Sequence, residues 1–203
     1  MALAAWESLA KELEKRDKRL RPFIRDIGYP VLELETDAFR ALAQSILAQQ
    51  LATRAAEVII ERFRKLAPPF PRPSAVLSLT PRRLRTAGVS PQKMGYLKAL
   101  AERWQDASWR RGWTHASDEA VVERLTEVKG IGVWTAHMFL IFSLGRPNVL
   151  PVGDYGVRKG MQKIFGLSEL PLPGEMLQLV PHWEGAYSVG AWYLWQAQDR
   201  KLL

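Results

Sequence analysis

Two groups in this sequence could do chemistry together: a carboxylate, Asp154, and a tight backbone turn, Gly130-Ile131-Gly132. Asp154 follows an apolar run, Val149-Leu150-Pro151-Val152, and precedes a helical pattern. There the helix dipole and desolvation pull in opposite directions. The carboxylate is expected to stay ionised and to face a developing cation. Asp is also a favoured N-cap, so capping alone would account for its position. The glycine turn lies between two helical patterns and presents backbone N–H groups at the start of the second. That is a site for a phosphate oxygen, used without reading sequence. A lone Gly-x-Gly is a weak sign because glycines end many helices. Lys129 beside the turn and a capped helix before it strengthen the reading.

Other chemistries have less to draw on. The 203 residues contain no cysteine, which excludes a thiol nucleophile, a Cys-ligated zinc and an iron–sulfur cluster. His115, His137 and His182 lie far apart, so neither a metal nor a cofactor is expected. The N-terminus has acidic residues early and no signal-peptide pattern, and no apolar run reaches the ~18 residues of a membrane span. A cytoplasmic protein with no membrane partner is expected. Net charge is +8, and it is concentrated. Between Glu61 and Arg111 there are 12 Lys/Arg against Glu61, Glu102 and Asp106. A basic sector on a neutral body fits a polyanion binder, although solvated helix faces would give the same count.

The elements that must position these groups read as helices. No period-two alternation rises above the helical signals, and helix punctuation is frequent. The first helix is expected from about Leu3 to Lys18, followed by a short Arg-Pro-Phe-Ile-Arg segment and a break at Gly28–Pro30. Thr36 or Asp37 caps a helix with Phe39, Leu42, Ala43, Ile46 and Leu47 on one face. The pattern hesitates at Gln49-Gln50-Leu51, and Thr53 is expected to cap the next helix, with Ala56, Ile59, Ile60 and Phe63 inward. Pro68 to Pro73 reads as a rigid connector. Thr80-Pro81 and Ser90-Pro91 start two more helices. In the second, Met94, Leu97, Leu100 and Ala101 point inward and Lys93, Lys98 and Arg103 outward. Ser117-Asp118 caps the helix leading to the glycine turn, and Val133 to Leu144 is apolar enough to be packed on most sides. Helices from Asp154 to about Phe165, Glu175 to Val180 and Gly185 to Leu203 complete the chain. Of eight tryptophans, Trp104, Trp109 and Trp113 are expected to pack between lobes. The fold class is expected to be all-α, with two helical lobes from interleaved parts of the chain.

Several stretches carry a family resemblance. Leu125-x-x-Val128-x-Gly130-Ile131-Gly132-x-Trp134-Thr135-Ala136, then Pro151-x-x-Asp154-x-x-Val157-Arg158, resembles the helix-hairpin-helix DNA glycosylase superfamily, and within it the AlkA-type alkylbase (3-methyladenine II) glycosylases. Ser45 to Leu51, Gly88-Val89-Ser90-x-x-Lys93-x-x-Tyr96-Leu97 and Ala191 to Trp195 agree, covering roughly residues 36 to 200 in the family's order. The resemblance implies one glycosylase unit over 1–203, a helix-hairpin-helix at about 118–144, a DNA-binding cleft between the two lobes, and no N-terminal β domain. It implies that Asp154 is the catalytic aspartate. Gly130, Ile131, Gly132 and Lys129 would hold DNA phosphate, and Gln50 with Leu51 would wedge into the gap left by an extruded base. Trp134, Tyr155, Trp195 and Met138 would line the base pocket.

Relatives with lyase activity have a lysine where this chain has Trp134, so the resemblance implies a monofunctional enzyme. It would bind double-stranded DNA containing alkylated bases, act as a monomer in the cytoplasm and associate with the nucleoid. Where relatives often read Trp-x-Pro-Tyr-Arg-Ser, this chain reads Trp183-Glu-Gly-Ala-Tyr187-Ser188, and Met138 replaces an aromatic of some members. Both changes imply a differently shaped pocket. The rival expectation is a non-catalytic helix-hairpin-helix module that binds distorted DNA and has no need of Asp154. A glycosylase for oxidised or mismatched bases is argued against by the missing lysine and cysteines.

Overall fold

The computed structural model describes residues 2–203, apart from the side chains of residues 2–4 and of Thr53. The described residues form thirteen α-helices and no strand. They divide into two compact units. One is continuous, Glu35–Phe139; the other combines Met1–Leu34 with Leu140–Leu203.

The continuous unit holds α3 (Ala38–Ala48), α4 (Thr53–Arg64), α5 (Pro73–Ser78), α6 (Pro81–Thr86), α7 (Pro91–Arg103), α8 (Ala107–Arg110), α9 (Asp118–Thr126) and most of α10 (Val133–Phe142). Its helix starts follow local chemistry: the side chains of Asp37, Thr80, Ser90 and Ser117 each accept from the N–H three residues on. The core stripes of α3 and α7 are buried as the spacing predicts. α7 is the central helix, packed against α3, α5 and α6.

Several expectations fail here for identifiable reasons. Thr53 is the first helical residue of α4, and Ala52 holds the cap position without a side-chain bond. In α4 only Ala56 and Phe63 of the expected stripe are buried; Ile59 and Ile60 are half-buried. The proline connector ends in a helix, because Pro73 opens α5 at a position where the missing N–H is no loss. Lys93 does not point outward: its Nζ donates to the Leu47 carbonyl at 2.7 Å, closing the C-terminal end of α3. Burial pushes its ammonium below the usual lysine range. Trp104, Trp109 and Trp113 form one edge-to-face cluster with Phe39 and Phe139, inside this unit and not between lobes. Finally, α10 is not packed all round, since Val133 and Trp134 at its first turn are 51% and 38% exposed.

The second unit holds α1 (Ala2–Arg16), α2 (Arg21–Ile27), α11 (Tyr155–Phe165), α12 (Pro173–Leu179) and α13 (Tyr187–Asp199). The short Arg-Pro-Phe-Ile-Arg segment is helical as α2, with proline in its first turn. α12 begins two residues earlier than its glutamate suggests, again on a proline, and α13 is shorter than its pattern at both ends. α13 is the spine of this unit, with α1, α2 and α11 packed on it. Its residues Val189, Gly190, Ala191, Tyr193, Leu194 and Ala197 are buried. Among the described residues no helix is long and apolar enough to cross a membrane.

Candidate active site

In the continuous unit the glycine turn is built by backbone and held by one side chain. The Ile131 N–H donates to the Val128 carbonyl at 3.0 Å, and Gly130 takes φ +93°, which a residue with a Cβ rarely adopts. A Cβ at Gly130 would stand 2.1 Å from Cγ of Tyr96, so the turn lies flat on that ring. The Gln49 side-chain amide donates to the Gly130 carbonyl at 2.8 Å, tying the turn to the end of α3. Ile131 is buried and anchors the turn, while Gly132 and Lys129 are exposed. The exposed start of α10 at Gly132 and Val133 has the form expected of a phosphate grip, an open helix N-terminus.

The two expected wedge residues sit at the α3–α4 junction. Gln50 is exposed with φ +56°, an uncommon conformation for a residue other than glycine, and Leu51 is 39% exposed. An apolar side chain held out on a strained turn suits insertion into a base stack. Trp134 and Met138 lie on α10, the first exposed and the second half-buried. On the same helix, burial lowers the His137 pKa from the usual imidazole value, and the charge of Asp118 opposes that shift only in part.

In the other unit Asp154 caps α11: its Oδ1 accepts from the Val157 N–H at 2.8 Å. The same oxygen accepts from the Trp195 indole Nε1 at 2.9 Å. Trp195 in turn lies tilted against Phe142, with ring centroids 5.6 Å apart. Asp154 is half-buried. Of the other expected pocket residues in this unit, Tyr155 is 63% exposed with the Lys159 ammonium 5.8 Å from its ring centre. Thus Asp154 and Trp195 are in direct contact, whereas Trp134 and Met138 belong to the other unit.

Two further residues fix the approach to Asp154, and neither stood out in the sequence. Ser188, fully buried at the start of α13, accepts from the Val149 N–H at 2.9 Å through its Oγ, which also lies 2.7 Å from the Arg146 carbonyl. Its own N–H donates to Pro147. The loop leading to the aspartate is therefore clamped to α13. Asp17, only 1% exposed, accepts from the Trp183 indole at 2.7 Å and contacts His182 Nε2 at 2.9 Å, fixing the segment just before α13. Burial pushes the Asp17 carboxyl up. The hydrogen bonds from His182, Trp183 and the Arg19 and Leu20 N–H groups outweigh it and hold the carboxyl below the usual range. No single residue type marks these bonds in advance, because each joins positions far apart in the chain. Among the described residues no group of three or more His, Asp or Glu could hold a metal ion.

The chain is similar to known DNA repair proteins. Residues 43–184 match the model of the HhH-GPD superfamily base excision DNA repair proteins. The chain is 32% identical to DNA-3-methyladenine glycosylase 1 of Schizosaccharomyces pombe over 164 residues, 79% of this chain and 72% of that one. The solved structure of the fission-yeast 3-methyladenine DNA glycosylase Mag1, in complex with abasic DNA, superposes with a TM-score of 0.86 at 28% identity, over 95% of this chain and 97% of that one. A DNA-3-methyladenine glycosidase structure from Bacillus halodurans gives 0.80 at 33% identity, over 96% and 90%. With the match covering most of the chain and the relatives aligned over most of their length, this protein belongs to the HhH-GPD superfamily of base excision DNA repair proteins.

Proposed function

We propose that the protein is a monofunctional DNA glycosylase. It hydrolyses the N-glycosidic bond of alkylated bases, such as 3-methyladenine and 7-methylguanine, in duplex DNA and leaves an abasic site for base excision repair. The observation that carries the proposal is the Asp154 carboxylate, fixed at the N-terminus of α11 by a backbone N–H and an indole N–H, in a chain of this family. Names of relatives supply the alkylated substrate class.

The chemistry follows from charge. Alkylation at a ring nitrogen makes a purine cationic and a good leaving group. The duplex is held through its phosphates, and the damaged nucleotide turns outward as Leu51 fills the gap. The C1′–N bond then breaks with its electron pair going to the base, which leaves neutral. The positive charge passes to the sugar, where the Asp154 carboxylate stabilises it. Water adds at C1′ and releases a proton, completing the hydrolysis. Trp134 has no amine, so no covalent link to the sugar forms and the strand is not cut. One chain serves one extruded base, so the proposal includes monomeric action over 1–203 as one unit, on DNA in the cytoplasm.

The test is single-turnover release of a methylated purine from a duplex, with Asp154→Asn beside the wild type. The variant should keep its affinity for DNA and lose about 10²–10³ in rate. Wild-type protein that retards DNA but yields no abasic sites would mean a binding module, and a fully active Asn variant would remove Asp154 from the mechanism.

A further inference from the structure

Trp195 stands where a base-stacking wall is expected, but its polar edge is occupied by the protein itself. We infer that Trp195 is a positioning residue for Asp154, and that Gly156 is what lets it reach; the inference rests on the glycosylase reading above. One carboxylate oxygen takes two donors of different origin. The Val157 N–H belongs to the first turn of α11, and the indole N–H comes from α13. With the backbone donor alone the carboxyl could still pivot about its Cβ–Cγ bond. A second donor from another helix fixes its plane.

The approach is built for this contact. A Cβ at Gly156 would lie 3.1 Å from Asp154 Oδ1 and 3.2 Å from Cδ1 of Trp195, inside ordinary packing distance. The Gln198 amide bonds the Gly156 carbonyl at 2.8 Å and the Leu194 carbonyl at 2.9 Å, so the first turn of α11 is tied to α13 beside the indole. Phe142 backs the ring from the side. A carboxylate held in one orientation before reaction needs no reorganisation when charge appears on the sugar, which is where electrostatic catalysis gains most.

A double-mutant cycle separates this role from stacking. Trp195→Phe keeps an aromatic ring and removes the donor together with part of the indole's area. It should slow single-turnover release of a methylated purine by about 10- to 100-fold, the range for a hydrogen bond to a charged group. The Kd for duplex containing an abasic-site analogue should stay within about twofold. In the Asp154→Asn background the same change should cost less than about twofold, because the group it orients is gone. Gly156→Ala, a smaller disturbance at the same contact, should follow the same pattern and serves if Trp195→Phe unfolds. Equal losses in both backgrounds would mean that Trp195 acts on the base alone, and no loss in either would mean that the bond is idle; each overturns the inference. An Asp154→Asn variant with full activity would instead sink the glycosylase reading itself.

Discussion

The Tyr96 ring lies directly under Gly130, so close that the smallest side chain would put its Cβ 2.1 Å from the ring carbon Cγ. The contact couples the glycine turn to α7, and with Gln49 it fixes the turn from two sides. Gly130→Ala should therefore cost both backbone strain at positive φ and overpacking, about 2–5 kcal/mol together. Denaturant unfolding checks the stability, and titration with undamaged duplex should show weaker binding as the turn proposed to grip phosphate is displaced.

Ser188→Ala removes the acceptor of the buried Val149 N–H. Leaving that group unsatisfied should cost about 1–3 kcal/mol, read from the urea midpoint at constant m. Because the loop leads to Asp154, the rate of base release should fall more than the affinity for DNA.

Acid stability should depend on Asp17. Its folded pKa lies below the usual aspartate value of 3.8, so the unfolded chain takes up the proton first as pH falls. Its stabilising contribution is complete above that value and disappears as the pH drops through the lower, folded one. Wild-type protein should lose stability more steeply than Asp17→Asn below about pH 4, while the variant starts from a lower plateau near neutrality. Urea midpoints measured across this range decide it; parallel curves would remove Asp17 from the account.

The basic sector makes a prediction about salt. Arg62, Arg82 and Arg85 are exposed on α4 and α6, whereas Arg64 is paired with Glu61 and Arg103 with Asp106 and Glu127. Replacing the three exposed arginines by alanine should flatten the dependence of log K on log salt by about 0.9 for each phosphate that is no longer neutralised. Unchanged slopes would place the DNA elsewhere.

With an aromatic ring at position 134, borohydride should trap no covalent complex with damaged duplex, and the strand should stay intact until alkali is added. A reduced protein–DNA adduct would show that another amine attacks the sugar.

Much of this architecture could be read from local chemistry. Asp37, Thr80, Ser90, Ser117 and Asp154 all cap the helices their side chains announce, because an N-cap bond spans three residues and needs nothing distant. The short helices α2 and α5 were hidden for the opposite reason: each carries proline in its first turn, which reads as a break until that position is known. Lys93 looked solvent-facing by helical spacing, yet a carbonyl at the end of α3 draws it in. At the candidate site the residue types were legible but their pairing was not. The Trp195–Asp154 bond joins positions 41 apart, and the Asp17–Trp183 bond joins positions 166 apart. Only the folded path of the chain decides such partners.

That last bond bears on how the molecule is made. Residues 1–34 are synthesised before the stretch from 35 to 139, but Trp6, Leu13, Leu20 and Ile24 are buried in a unit whose other half is synthesised after it. The stretch from 35 to 139 can collapse on its own while translation continues, whereas the opening helices must wait, with apolar surface uncovered, until α13 emerges. Nascent chains stalled short of Trp183 should accordingly carry a protease-resistant middle and a cleavable start, and a chaperone has its clearest target in the first two helices.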